Sequence, residues 1–466
     1  MKKTVIIGAG PAGLAAGHRL SENRVETVIL EQEAHVGGIS RTVRYKGYGF
    51  DIGGHRFYTK NKQVLDWWRG LLKDDFLSIP RQSRIYYRDI FLKYPISIPD
   101  VIARMGFFHS LIIVLSFLYS RLSARREQET TFSDWVSNRF GRKLYDIFFK
   151  DYTEKVWGLS GEQLSADVAG QRIPGMSLPV ALRNALLANR GHAVASLISE
   201  FYYPRLGAGM MYEAAASEFS RQGGQLQLNH EVLRVRHAQR RITSVVCQDR
   251  LTGTVVEHQG SDYCSSMPIT DLLWRLDPLP DRQLLEMCGK LRYRSLILVY
   301  VIVKKKDLVR DNWIYVHSQE VKVARIQNFR QWSPALLADA HTSSLGMEYF
   351  CDEADDFWSQ SDAALIALAG RELETIKLAR PAQIQDALVV RVPKAYPVYA
   401  LGYERILAEL KCYLSGFANL QSIGRFGMFH YNSMDHSVLT GLLAAENILG
   451  AGHDLWQVKP GEAYAV

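Results

Sequence analysis

Residues 4–20, TVIIGAGPAGLAAGHRL, decide the fold of this chain. The apolar run TVII breaks directly into Gly8-x-Gly10-x-x-Gly13, and a helix-periodic stretch follows at once. A strand that feeds a glycine turn and then a helix N-terminus is the pattern of a dinucleotide-binding βαβ unit. The glycines permit a tight turn and let a pyrophosphate approach the backbone, where unpaired N–H groups of the helix end can meet it. A second apolar run, TVILE, ends in Glu31, 18 residues beyond Gly13, the place where an acid bonds a ribose hydroxyl. Gly8, Gly10, Pro11, Ala12, Gly13 and Glu31 are therefore the first cofactor-binding candidates.

The chain around this unit is long enough, at 466 residues with 47% apolar content, for two or three domains with sizeable cores. Lysine and arginine exceed aspartate and glutamate by 56 − 48 = 8. That dispersed excess suits an anionic small ligand or an anionic membrane surface and argues against nucleic acid. Five scattered cysteines form no CxxC, which predicts a reducing, cytoplasmic setting without disulfides, structural zinc or another metal cluster. The opening MKKTVII is too short for a signal sequence. The longest apolar run, residues 107–119, is too short to span a bilayer. It reads first as a buried core helix. Flanked by Arg121, Arg125 and Arg126, it also suits a helix lying peripherally on the inner membrane face. A homodimer is left open.

Helical periodicity covers residues 60–75, 98–150, 355–378 and 436–450, and strand patterns cover 84–96, 224–248 and 295–303. A βαβ opening followed by mixed segments predicts an α/β fold whose nucleotide-binding domain is interrupted by insertions. The expected division is 1–75 with 204–268 and 404–466 as the dinucleotide domain. Residues 98–203 form a helical insertion, and 76–97 with 269–403 form a mixed β-sheet substrate domain. The glycine-rich YYPRLGAGMM, 202–211, reads as a flexible loop that closes over the substrate.

Three further motifs resemble those of the two-dinucleotide-binding-domain flavoproteins. Gly37 and Gly38 stand where that superfamily has its second phosphate-side motif. LQSIGRFG, 420–427, followed after a loop by SVLTGLLAAENIL, is similar to its late FAD motif and implicates Gly424, Arg425, Met434 and Asp435. HEVLRV, around Val232, resembles its adenine-side strand. Together they imply FAD bound on a Rossmann-like core. No second GxGxxG is present in the sequence, so a nicotinamide, NAD(P)H, would act only as a transient external reductant.

YTEKVWG, 152–158, is similar to the YTEKQWG of bacterial UDP-galactopyranose mutases. The resemblance implies that Tyr152 stacks on a nucleobase, with Phe148, Phe149 and Thr153 beside it, and that Trp157 shapes the sugar site. GGHRFYT, 53–59, resembles GPHIFHT and implies that His55 lies by the flavin. QRIPG, 171–175, and VARIQNFRQWSP, 323–334, resemble KRIPV and YTRITEHKHFSP, and imply that Arg172 and Arg325 bind a diphosphate. AYPVY, 395–399, and GRFGMFHYNSMD, 424–435, resemble YYPIP and GRLGTYKYLDMD, and imply phosphate contacts by Tyr396 and Tyr431. The likeness runs from residue 4 to about 450. The chemistry suits these residue types on its own terms. Guanidiniums give planar, permanently charged donors to a pyrophosphate, phenols add neutral donors, and aromatic rings offer a stacking plane.

Three departures bear on the substrate. GGISRT replaces the mutases' GGNAYD, Arg56 replaces an apolar residue beside the key histidine, and this chain is longer. The implied function is redox-neutral pyranose–furanose exchange of a nucleotide sugar or related anionic substrate, with N5 of reduced FAD as nucleophile at the anomeric carbon. His55, Arg172 and Arg325 are the implied catalytic residues. The rival reading is an FAD-dependent oxidase or desaturase of the amine oxidase or protoporphyrinogen oxidase type, acting on an amine or apolar substrate, which GGHRF and the apolar 107–119 run suit. A third reading is a non-catalytic binder on the same fold.

Overall fold

The computed structural model describes residues 2–94, 100, 103–104, 106–122, 129–172 and 199–458. The strand Lys3–Ile7 sits at the centre of a five-stranded parallel sheet. Glu26–Leu30 and then Gln225–Gln227 extend it on one side, and Asp262–Ser265 and then Leu420–Ser422 on the other. The sheet thus recruits strands separated by hundreds of residues, as a Rossmann-like core interrupted by insertions requires. Helices Pro11–Glu22 and Met434–Ile448 pack together on it. A Cβ at Gly13 would stand 1.9 Å from the Gly8 carbonyl oxygen, and one at Gly441 2.1 Å from that of Ala12. Only glycine allows these approaches.

A seven-stranded mixed sheet forms the second layer. Its order is Ile384–Val398, Arg292–Val303, Ser343–Cys351, Arg325–Asn328, Trp313–Val316, Ser83–Tyr87, Ile90–Lys93. Residues 296–303 of strand Arg292–Val303 read as a continuous apolar run because both faces of the sheet are covered there. Leu296, Leu298, Tyr300 and Ile302 point into the core shared with the parallel sheet. Ile297, Val299, Val301 and Val303 point into a separate core under helix Asp362–Thr375. An antiparallel meander, His230–Ala238, Arg241–Asp249 and Val255–Gln259, flanks the assembly.

A buried carboxylate joins the layers. Asp51 ends the hairpin Thr42–Tyr45/Tyr48–Asp51. It accepts hydrogen bonds from Thr42 Oγ1 at 2.6 Å, Tyr203 OH at 2.5 Å and the Ala208 N–H at 3.0 Å. Its carbonyl accepts from Tyr300 OH at 2.9 Å, on strand Arg292–Val303 of the second sheet. Burial pushes the Asp51 pKa up to about 6, against the pull of these donors.

Three expectations change. Residues 202–211 are not a flexible loop but a buried junction between strand Glu200–Pro204 and helix Gly209–Arg221, with Tyr203, Ala208 and Met211 fully buried. Its glycines make room for Thr42, whose Oγ1 lies 2.3 Å from where a Cβ of Gly207 would stand. Strand Phe76–Pro80 pairs with Glu200–Pro204 instead of joining the seven-stranded sheet. Helix Phe107–Leu122 is not a fully buried core helix: Ile113 and Phe117 face inward, while Ile112, Leu115, Leu118 and Tyr119 are exposed. Among the described residues no helix is long and apolar enough to cross a membrane.

Asp51→Ala removes the acceptor for three buried donors and should lower stability by about 3 kcal/mol. Urea unfolding of the purified protein measures this, and a loss under about 1 kcal/mol would show that the junction holds without the carboxylate.

Candidate active site

A cavity of about 690 Å³ lies between the two sheets. One end is the glycine turn, where Gly8, Gly10, Pro11 and Ala12 line the wall. A Cβ built on Gly10 meets nothing within 4 Å. Open space there, at the start of helix Pro11–Glu22, is a cradle for a pyrophosphate against unpaired helix N–H groups. Glu31 Oε2 accepts the Ala9 N–H at 2.7 Å and its Oε1 accepts the Glu33 N–H at 2.9 Å, so the acid braces the turn it follows. Burial raises the Glu31 pKa, opposed by those two backbone donors.

Gly37 donates its N–H to the Ala9 carbonyl at 2.8 Å and, with Gly38, adopts positive φ of 94° and 54°. This folds residues 37–40 over the turn. A second helix start faces the same cavity: Met434 and Asp435 open helix Met434–Ile448, with Gly424, Arg425 and Val232 also on the wall. Two helix N-termini on one elongated cavity fit a dinucleotide with a central pyrophosphate. Gly13 and Gly37 stand behind the lining, supporting its shape.

The far end carries the charged and aromatic candidates. Arg325 projects from strand Arg325–Asn328 and donates to the fully buried Glu348, Nε at 2.9 Å and Nη2 at 2.5 Å. Nη2 also donates to Tyr396 OH at 3.1 Å. Burial opposes the Arg325 charge, but Glu348 overrides it and holds the guanidinium protonated. Gln327 Nε2 donates to the other Glu348 oxygen at 2.7 Å. Tyr396 and Tyr431 stack with centroids 5.6 Å apart, and the Arg425 guanidinium lies 5.3 and 5.0 Å from their ring centres.

His55 lines the cavity near both arginines. Its pKa is pushed down to about 3, first by burial and then by Arg425 and Arg325, so the imidazole is neutral. Its Nδ1 is buried without a hydrogen-bond partner. An unsatisfied ring nitrogen between a dinucleotide cradle and a cationic cluster fits the polar edge of a flavin.

The YTEKVWG segment builds the wall from behind. It forms helix Lys150–Trp157, entered through a π-helical turn, Tyr145–Phe149. Tyr152 stacks on His317 at 4.5 Å, and buried Trp157 meets Tyr431 edge-on at 5.7 Å. Phe148 packs on Tyr87 and His317, Phe149 on Phe132 and Phe140, and Thr153 is buried. Lys155 donates to the carbonyls of Val316, Ser318 and Val323 at 3.5, 2.5 and 3.3 Å, clamping the helix to the seven-stranded sheet. Burial lowers its pKa to about 8. Arg172 ends helix Asp167–Arg172, and its side chain lies outside the described residues.

Tyr58, Trp313, Tyr315, Gln327, Arg391 and Lys394 also line the cavity and were not singled out in the sequence, and Arg56, noted there as a departure beside His55, joins them. The alternation in Asn312–Val316, with Trp313 and Tyr315 on one face, was the available signal.

Residues 11–449 match the family model described as flavin containing amine oxidoreductase. The chain is 23% identical over 176 residues to a probable UDP-galactopyranose mutase of Klebsiella pneumoniae, covering 37% of this chain and 45% of that one. It is 23% identical over 178 residues to a dTDP-fucopyranose mutase of Escherichia coli, covering 37% and 46%. The chain thus aligns with about half the length of these curated relatives. A crystal structure of reduced UDP-galactopyranose mutase superposes with a TM-score of 0.84 over 99% of both chains, at 22% identity, which shows a common fold.

Burial holds His55 and His317 down to about 3 and His430 down to about 4, against an ordinary value of 6.5. Between those values the unfolded chain binds protons that the folded chain does not, so stability rises with pH across that window. Asp51, held up to about 6, contributes in the opposite sense across the same window, so the difference between variants is the test: His317→Gln should lose less urea midpoint between pH ~6.5 and ~4 than the unsubstituted protein. An equal loss in both proteins would contradict the burial of a neutral His317.

Proposed function

This chain belongs to the flavin containing amine oxidoreductase family and its cofactor is FAD, and on that footing we propose that it interconverts the pyranose and furanose forms of a nucleotide sugar. The observation that carries the reading is the Arg325–Tyr396–Tyr431–Arg425 cluster at the end of the flavin cavity. Two guanidiniums and two phenols suit a diphosphate, and the relatives named as mutases act, by name, on a UDP-sugar and a dTDP-sugar.

Bound FAD, when reduced, supplies a nucleophilic ring nitrogen for chemistry at an anomeric carbon. The chain's own residues position and stabilise. Glu348 fixes Arg325 on two nitrogens, so its charge is already oriented before a diphosphate begins to leave. Tyr396 is positioned by Arg325 and can donate its hydroxyl proton to a phosphate oxygen. Tyr431 is held from behind by Trp157. His55, neutral, offers one ring N–H and one lone pair without adding charge. Arg172 is the second proposed diphosphate ligand, and Tyr152 the proposed base-stacking ring. The rival amine oxidase reading places a substrate ammonium against Arg325 and Arg425, which like-charge repulsion disfavours.

Anaerobic incubation with a panel of nucleoside diphosphate sugars, with the flavin oxidised or dithionite-reduced, tests this by HPLC. Exchange is expected only in the reduced state. Oxygen consumption with an amine, and no exchange with any sugar, would overturn it. Arg325→Ala should lower kcat/KM by about 100-fold or more while the flavin absorbance persists.

A further inference from the structure

Next to the proposed diphosphate cluster the sheet carries a second group of donors. Trp313 and Tyr315 are opposite Gln327 and Arg325 in the ladder, so all four share the cavity face. Trp313 lies two residues, about 7 Å, along the strand from the Arg325 row. On its other side Trp313 is in register with Ser83. Arg81, two residues before Ser83, places its guanidinium 5.6 Å from the Trp313 ring centre and 5.2 Å from that of Tyr94. Arg56, on the cavity wall, lies 5.9 Å from the same Trp313 ring.

Three of these side chains have unsatisfied atoms. Arg81 Nε, Nη1 and Nη2 are buried with no hydrogen-bond partner, and so are Trp313 Nε1 and Ser83 Oγ. Ring faces partly offset a guanidinium's charge but accept none of its hydrogen bonds in plane. Buried charges are retained where something pairs them, and a guanidinium and an indole N–H, which only donate, beside a hydroxyl that can donate too, call for an oxyanion.

We propose that Arg81, Ser83 and Trp313 form an oxyanion subsite for an acidic group on the sugar itself, distinct from the diphosphate. This rests on the nucleotide-sugar reading above and narrows it to a sugar acid, a nucleotide-linked uronate in its carboxylate form. Arg325 lies on strand Arg325–Asn328, while Arg81 precedes strand Ser83–Tyr87 and stands against Trp313, the member of the trio on the cavity wall, so the diphosphate and the carboxylate are held apart. Arg81 is a specificity residue: it recognises the carboxylate and takes no part in bond making.

Equilibrium dialysis of the reduced holoenzyme against UDP, UDP-galactose and UDP-galacturonate tests the proposal. UDP is expected to bind, and the galacturonate to bind roughly 30-fold tighter than the galactose compound. Arg81→Met should collapse that ratio to about one, and Arg81→Lys should restore part of it. Flavin absorbance reports whether each variant is folded, and Trp313→Phe, which removes one donor only, should lower the ratio if Arg81→Met does not fold. Equal affinities for the two sugars, or an unchanged ratio in Arg81→Met, would overturn the subsite and leave the nucleotide-sugar reading standing. Failure of UDP itself to bind would overturn that reading, and the subsite with it.

Discussion

The Asp51 carboxylate is the constraint on which the arrangement of layers depends. In a low-dielectric interior an ionised or polar group is tolerated only when its hydrogen-bonding capacity is filled. Thr42, Tyr203 and Ala208 fill it, and the Asp51 carbonyl takes Tyr300 from the second sheet. Three stretches distant in sequence, the hairpin 42–51, residues 203–208 and the strand that carries Tyr300, therefore converge on one residue. The chain leaves Asp51 directly into residues 52–56, which reach the cavity wall at Ile52, Gly54, His55 and Arg56. The position of the imidazole is thus a consequence of where the carboxylate is buried.

The same logic governs the charged end of the cavity. Arg325 and Gln327 share a strand, and the neighbouring strand supplies Glu348 directly opposite Arg325, so the ionic pair is built into the ladder. A buried pair of this kind contributes little net stability because desolvation offsets attraction. Its value is geometric: a guanidinium held on a rigid sheet cannot swing away from the ligand. Lys155 shows the contrasting case. It stands in the middle of a motif that resembles a substrate-binding segment, yet its ammonium is consumed by three backbone carbonyls. Lys155, between Tyr152 and Trp157, fastens the helix, while the rings face His317 and Tyr431.

Legibility in the sequence followed the locality of the physics. The glycine turn, Glu31 and the late motif at Gly424 could be read directly, because helix starts and tight turns are fixed by a few adjacent residues. The strand Arg292–Val303 was visible as an apolar run, and the hairpin Ser83–Tyr87/Ile90–Lys93 as a strand pair. Residues 202–211 misled for a specific reason. Glycines there suggested freedom, whereas Gly207 and Gly209 are small because Thr42 crowds them from 165 and 167 residues away (207 − 42 and 209 − 42). Helix Phe107–Leu122 misled likewise, since an apolar run does not say which of its faces finds a neighbour.

By itself the sequence determined a dinucleotide cradle, the flavin it takes, and a set of arginines and tyrosines suited to an anionic ligand. The cradle and the anionic-ligand set follow from residue type and short spacing, and the flavin from the resemblance of three motifs to those of known flavoproteins. Only the tertiary structure decided which charges remain available for a ligand. Arg325 is oriented by Glu348 and still reaches Tyr396 on the cavity wall, Lys155 is spent on carbonyls, and the Arg81 guanidinium lies beside Trp313 with buried nitrogens that lack hydrogen-bond partners. No spacing rule distinguishes those three cations, because pairing is settled by which strands lie side by side, and that order, with Trp313 between Ser83 and Gln327, is long-range.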